Sequence, residues 1–302
     1  MLGVGGERDL TPRPLEQLAG WRGSRPVTVG NGAWRQSQID VYGELLGAAH
    51  RLRDQLRELD EATRAFLVAC ADTAAGCWRQ TNQGLWESRG KPQHYVSSKV
   101  MCWVALDRAI DLADVLRAAD RVPAWQAEAD EIHQTVLENG WNDAVGAFTQ
   151  AFGSSQLDAS VLAPPIVGFL PADDRRVRST LTVVADQLTD SRGLVRRYDT
   201  TSGGDGLTGD EGSFLLCTFW LAEAQALAGD IDAAQMTLEA GLAAANDLGL
   251  LSEEIDTATG EQLGNLPQAF SHVGAINAAY ALQQALARAA APPAHTAARR
   301  GD

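Results

Sequence analysis

The chain has 302 residues, with 25 Lys and Arg against 39 Asp and Glu and a formal net charge of -14. That length can bury a large core, and 45% hydrophobic with 21% charged residues is ordinary globular composition, so wholesale disorder is excluded. The acidity argues against a nucleic-acid partner, which would need a basic face, and is compatible with a neutral ligand. Four cysteines, Cys70, Cys77, Cys102 and Cys217, are too few for a disulfide scaffold, and none stands in a CxxC spacing. They read best as small buried apolar residues. No run of eighteen apolar residues is present, so no membrane association is expected. Met1-Leu-Gly-Val-Gly-Gly6 lacks a basic and an apolar region of a signal peptide, and the expected compartment is cytoplasmic.

Helical periodicity dominates the pattern. Residues 1–18 are rich in Gly, Pro and charge and read as a loose lead-in. Ile39, Leu45, Leu46 and Ala49 then recur at helical spacing through Gln36–Leu56. Further helices are predicted over Glu61–Arg79, Ser98–Arg117, Ala124–Leu137, Asp173–Leu188, Glu211–Ala228, Ile231–Leu248 and Gln268–Ala290. Asp230 is placed to cap the helix at Ile231, and Gly140, Gly229 and Gly249 to follow helices as C′ residues. The clearest extended candidate is Gly193–Tyr198. Residues 291–302 read as a disordered tail. Some connections are short, as at Ala228-Gly229-Asp230. Others are long and rich in Gly, Ser, Asp and Trp: Trp21–Arg35, Thr81–Ser97, Asn139–Leu157, Asp190–Asp210 and Gly249–Pro267. Helical hairpins of this kind stack as a solenoid or close into a toroid, and the long loops then gather on one rim.

Chemistry is expected on that rim. In Thr81-Asn-Gln-Gly-Leu-Trp-Glu-Ser-Arg-Gly90, Glu87 follows the large aromatic Trp86 and precedes Arg89. A carboxyl against an aromatic ring in a partly closed site is suited to donate a proton near neutral pH. The second candidate loop, Gly249–Gln268, crowds Glu253, Glu254, Asp256 and Glu261 within nine residues. A carboxylate there could activate water. The calcium-loop pattern is not met. Two carboxyls, one protonated and one ionised, are the usual machinery for breaking a glycosidic bond. Trp21, Trp34, Trp86, Tyr95, Trp141 and Tyr198 supply aromatic faces in the long loops, although core packing is the commoner fate of any one of them. His94, His133 and His272 have no metal-ligand spacing, so no metal or other cofactor is expected. Gly203-Gly-Asp-Gly206 lacks the context of a phosphate loop.

Four separated motifs resemble glycoside hydrolase family 15, which contains glucoamylases, glucodextranases and a bacterial trehalase branch. They are Asn31-Gly-Ala-Trp-Arg-Gln-Ser-Gln-Ile-Asp-Val-Tyr-Gly-Glu44, Gly84-Leu-Trp-Glu-Ser-Arg-Gly90, Ser98-Lys-Val-Met-Cys-Trp-Val-Ala-Leu-Asp-Arg108, and Leu250-Leu-Ser-Glu-Glu-Ile-Asp256 with Gly264-Asn-Leu-Pro-Gln-Ala-Phe-Ser-His-Val-Gly274. The resemblance runs from about Glu7 to Leu286. It implies an all-α, incomplete (α/α)6 toroid over residues 19–290 and inverting hydrolysis of α-glucosides such as maltooligosaccharides or trehalose. Glu87 matches the general acid and Glu253 the general base, with Glu254 as the rival for that role. Trp34 matches an active-site tryptophan of fungal glucoamylases, and Arg197-Tyr198 their substrate-binding pair; Trp86, Arg89 and Glu254 are the further expected substrate contacts. Ser88 departs from the second acidic residue that fungal members carry after the acid. Family members carry an N-terminal β-sandwich and twelve barrel helices, so the chain is expected to be a C-terminal part of such an enzyme. Its expected partners are then a complementing N-terminal chain or a homo-oligomer. A non-catalytic, carbohydrate-binding scaffold of the same fold is the competing expectation.

Overall fold

The computed structural model describes residues 3–55, 59–199 and 211–290. The glycine-rich stretch 203–206, the end of the helix predicted to Leu56, and the expected tail 291–302 lie outside them. The described residues form two compact units, whose division falls between Ile132 and His133.

The first unit opens on a two-residue ladder in which β1 (Arg13–Pro14) pairs antiparallel with β2 (Thr28–Val29). Its helices are α1 (Val41–Arg51), α2 (Glu61–Cys77), α3 (Val96–Asp111), the short α4 (Ala113–Leu116) and the start of α5 (Val122–Asn139). Asp60 caps α2 by accepting from the Thr63 amide at 2.7 Å, which offsets one of the unpaired N–H groups of a helix start. The predicted helix at Gln36 begins five residues later, because Ala33 and Ile39 are buried from a loop rather than from a helix face. The single helix predicted over Ser98–Arg117 is broken at Leu112, and Arg117 closes α4 in the left-handed region. α3 is the buried centre of this unit: Val96, Val100, Cys102, Ala105, Leu106 and Ala109 have no exposed surface. Two tryptophans tie α2 and its C-terminal end to α5. Trp125 donates its indole N–H to Asp72 at 2.9 Å and Trp78 donates to Glu128 at 2.7 Å. Both rings are buried, so each indole N–H needs such an acceptor.

The second unit begins with the hairpin β3 (Trp141–Asn142) and β4 (Ala147–Phe148), followed by a 3-10 turn at Ala159–Leu162, the short α6 (Ala163–Ile166) and α7 (Arg175–Leu188). β5 (Ser213–Phe214), β6 (Glu254–Ile255) and β7 (Gln262–Leu263) form a small antiparallel sheet in that order. α8 (Leu215–Ala228), α9 (Ile231–Ala243) and α10 (Ala269–Ala290) pack together over a core that includes Leu215, Phe219, Ala222, Ala226, Ala278 and Leu282. The α8–α9 connection is the short one predicted: Gly229 takes the left-handed C-cap at φ 82°. Two capping expectations fail. Asp230 makes no side-chain cap to α9 and turns to Arg178 instead, with 3.3 Å between Nη1 and Oδ1. Gly249 does not follow a helix directly, because α9 ends at Ala243 and residues up to Gly249 form turns. Gly140 does follow α5, its amide donating to the Val136 carbonyl. Gly193–Tyr198 is extended only to the extent of two isolated bridges, Thr189 with Val195 and Asp158 with Tyr198.

Candidate active site

The two carboxylates of the expected pair belong to different units, Glu87 to the first and Glu253 to the second. In the first unit the loop after α2 is closed at its base by the Asn82–Gln93 bridge, with N–O distances of 3.0 and 2.9 Å. Asn82, fully buried, accepts on Oδ1 from the Gly84 amide at 2.7 Å and from Ser98 Oγ at 2.9 Å. Gly84 has φ 71° and lies flat against the Tyr95 ring; a Cβ there would stand 2.9 Å from ring carbons. Tyr95 is therefore a packing residue beneath the loop, and not an exposed aromatic face. Glu87 itself has φ 53°, a left-handed conformation that costs a non-glycine residue about 1–2 kcal/mol. The surrounding polar contacts hold it there. Gln36 Nε2 donates to the Glu87 carbonyl at 3.1 Å and to the Ser88 carbonyl at 3.0 Å, and Gln38 Nε2 reaches Glu87 Oε1 at 3.5 Å. Trp34, half-buried, has the Arg35 guanidinium 4.3 Å over its ring. Trp86 is also half-buried, and Arg89 is exposed, its Nη2 lying by Gly32.

In the second unit Arg197, Tyr198, Glu211, Phe214 and Glu254 converge. Arg197 donates from Nε to Glu211 Oε2 at 3.0 Å and from Nη2 to Oε1, a bidentate pair. Its guanidinium carbon stands 5.2 Å from the Tyr198 ring and 5.4 Å from that of Phe214. Burial opposes the Arg197 charge, but the Glu211 pairing outweighs it and holds the guanidinium above its ordinary range. Glu254 sits in β6 opposite Phe214 and Leu263. Burial first, and then the Glu211 and Glu253 carboxylates, push it up to about 7 against the pull of Arg197. Its neighbour Glu253 points elsewhere, as alternation along a strand requires. Glu253 Oε2 accepts from the Asn265 backbone amide at 3.0 Å and from its Nδ2 at 2.9 Å, while the Glu253 amide donates back to the Asn265 carbonyl at 3.0 Å. His272 fixes the turn from behind: its Nε2 accepts from the Leu251 amide, and its Nδ1 donates to the Gln268 carbonyl.

Four residues of this arrangement were not among the sequence candidates: Gln36, Gln38, Glu211 and Asn265. Asn265, Gln36 and Gln38 lie inside the quoted motifs, but their contacts span 12, 51 and 49 residues and no local pattern signals them. Of the other aromatic candidates, Trp21 is exposed, and Trp141 packs edge-on to Phe148 while donating to Asp143. Among the described residues no group of three or more His, Cys, Asp or Glu could hold a metal ion, and no helix is long and apolar enough to cross a membrane.

The fold is all-α and is that of the (α/α)6 glycosidases. A solved wild-type glycosidase matches with a TM-score of 0.70 at 24% identity, over 89% of this chain and 74% of that one. A bacterial glucoamylase solved with acarbose matches with a TM-score of 0.67 at 17% identity, over 84% of this chain and 43% of that one. The chain belongs to glycosyl hydrolases family 15, whose model matches residues 4–280. It is 44% identical over 278 residues to a trehalase of Mycolicibacterium smegmatis, a match that covers 92% of this chain and 41% of the relative. The chain thus spans about two fifths of the length of that relative.

Proposed function

We propose that the chain carries the acid–base pair of an inverting α-glucoside hydrolase of trehalase type. The observation that carries this reading is the opposite treatment of two neighbouring carboxyls. Glu253 is held open by two donors on one oxygen, while Glu254 is drawn into the Arg197–Glu211 cluster. The identity to a trehalase supports the substrate. In this mechanism Glu87 gives its proton to the glycosidic oxygen as the C–O bond breaks. Glu253 removes a proton from the water that attacks the anomeric carbon from the opposite face. Asn265 occupies Oε2, so Oε1 takes that proton. An inverting pair needs about 6.5–9.5 Å between its carboxyls to admit the water. Arg197, Tyr198, Trp34, Trp86 and Glu254 bind the sugar: the rings meet its C–H faces and the charged groups its hydroxyls. The carboxylates need no metal for this chemistry.

On this reading the rest of the sugar site lies in the part of the relative that this chain does not cover, so the test joins this chain to the N-terminal portion of the Mycolicibacterium smegmatis trehalase. Proton NMR of the first turnovers on α,α-trehalose should show one α- and one β-glucose per bond broken. Two α-glucoses would mean retention and would overturn the pair. No turnover, where the relative's own C-terminal portion restores it, would favour a non-catalytic sugar-binding scaffold.

A further inference from the structure

Beneath the Glu87 loop, and unused by the hydrolytic mechanism, lies a second cluster of reactive groups. Cys77 is the last residue of α2, and Cys102 lies in the buried middle of α3. The two thiols face one another across the α2–α3 contact, close enough for each to perturb the other's ionisation. Cys102 Sγ also lies 3.6 Å from the Ile39 carbonyl, and Cys77 Sγ 3.9 Å from that of Ala74. Cys102 is fully buried, whereas Cys77 is partly open to solvent. Lys99, one turn before Cys102, has no exposed surface and is one of only two lysines in the chain. Its ammonium donates to the Trp78 and Gln80 carbonyls, just past the end of α2. Those two bonds leave a third ammonium proton and a fixed charge beside the thiol pair.

A buried lysine costs free energy unless something uses its charge. Burial lowers Lys99 to about 8, and the two cysteines pull the other way. The proximity of Cys102, then the Lys99 charge, lower Cys77 to about 7, while the Cys102 thiol is raised. One accessible sulfur disposed to the thiolate and one buried partner held as a thiol is the arrangement of an attacking and a resolving cysteine.

We propose that Cys77 and Cys102 are a reversible oxidation site, in which hydrogen peroxide oxidises Cys77 and Cys102 closes a disulfide between α2 and α3. The Cys77 thiolate attacks one peroxide oxygen; the O–O bond breaks and, with one proton from solvent, the other oxygen leaves as water. Cys77 is then a sulfenic acid. Cys102 sulfur attacks the Cys77 sulfur, and the sulfenic hydroxyl leaves with the Cys102 proton as a second water. The two thiols lose two electrons and the peroxide gains them. The site borders both supports of Glu87: Ile39 follows Gln38, and Lys99 holds the carbonyls that lead into Asn82.

The 302-residue chain is treated with hydrogen peroxide at neutral pH, alkylated under denaturing conditions, digested and mapped by mass spectrometry. The expected result is a linked Cys77–Cys102 peptide, two hydrogens lighter than its parts and separated by dithiothreitol, with Cys70 and Cys217 still alkylated. Cys102→Ser should give no linked peptide and instead a Cys77 sulfenic acid that dimedone traps. Lys99→Met should slow Cys77 oxidation about tenfold at pH 7 by reducing its thiolate fraction. The proposal is overturned if wild-type protein keeps all four thiols, if Cys70 or Cys217 is consumed as fast as Cys77, or if Cys77 oxidises without a linked peptide. The wild-type map decides the matter even where a variant does not fold.

Discussion

Asn265 grips Glu253 twice on a single oxygen, through its backbone amide at 3.0 Å and its side-chain amide at 2.9 Å. The Glu253 amide answers with a bond to the Asn265 carbonyl. The carboxylate plane is thereby set by a residue that could itself never act as a base.

In the chimera proposed above, Glu253→Gln is expected to lower kcat on trehalose by about 10²–10⁴-fold, the usual worth of a positioned base. Glu87→Gln should do the same. Asn265→Ala leaves the carboxylate present but unoriented, and about a tenfold fall in kcat is expected, with KM little changed. Glu254→Gln should act mainly on KM. If Glu254→Gln silences turnover while Glu253→Gln does not, the base is Glu254.

The Glu254 carboxyl also predicts a pH dependence of stability. Its folded value of about 7 lies above the ordinary 4.5, so the folded state binds the extra proton between those values. Stability associated with this group is therefore present below about pH 4.5 and is lost as pH rises through about 7, by at most about 3 kcal/mol. Urea unfolding of wild type and Glu254→Gln between pH 4.5 and 8 checks this. The variant should lose less stability across that window. Equal slopes would show that Glu254 titrates as it does in the unfolded chain.

Gly84→Ala should destabilise the first unit by about 1–3 kcal/mol, because a Cβ at φ 71° is strained and also meets the Tyr95 ring. Tyr95→Leu in the same background should recover only the steric part. Denaturant midpoints separate the two; an unchanged midpoint for Gly84→Ala would mean that the loop moves off Tyr95 freely.

Two aspartates before helices should behave differently. Asp60 caps α2 and Asp60→Ala should cost about 1 kcal/mol. Asp230 precedes α9 without capping it, and its exposed pair with Arg178 predicts a cost within about 0.5 kcal/mol for Asp230→Ala. Equal costs in thermal melts would contradict the observed orientation of Asp230.

These cases show what sequence reveals and what it hides. α2, α7 and α10 were legible because an apolar stripe at helical spacing and a polar start coincide in one segment. The Gln36 start was not, since Ala33 and Ile39 are apolar at nearly helical spacing yet are buried from a loop that Gln36 ties to Glu87, 51 residues away. The break at Leu112 has no Gly or Pro to announce it. Among the candidate-site residues, Glu87, Glu253, Arg197 and Tyr198 stood out through motifs. Their supports did not, because an amide side chain carries no local signature of the distant group that it will meet. Asp230 failed as a cap for a similar reason: Arg178, from α7, competes for it.

Phe219 has no exposed surface, and two glycines close on it: a Cβ on Gly241 would lie 2.5 Å from its ring and one on Gly274 3.1 Å from its Cβ. Three helices thus share one aromatic side chain as their spacer. The ring current of Phe219 should displace the Gly241 α-proton resonances well away from random-coil positions. Those two protons give a label-free reading of whether α8 and α9 are docked, at any temperature or oxidant concentration and without turnover of any sugar.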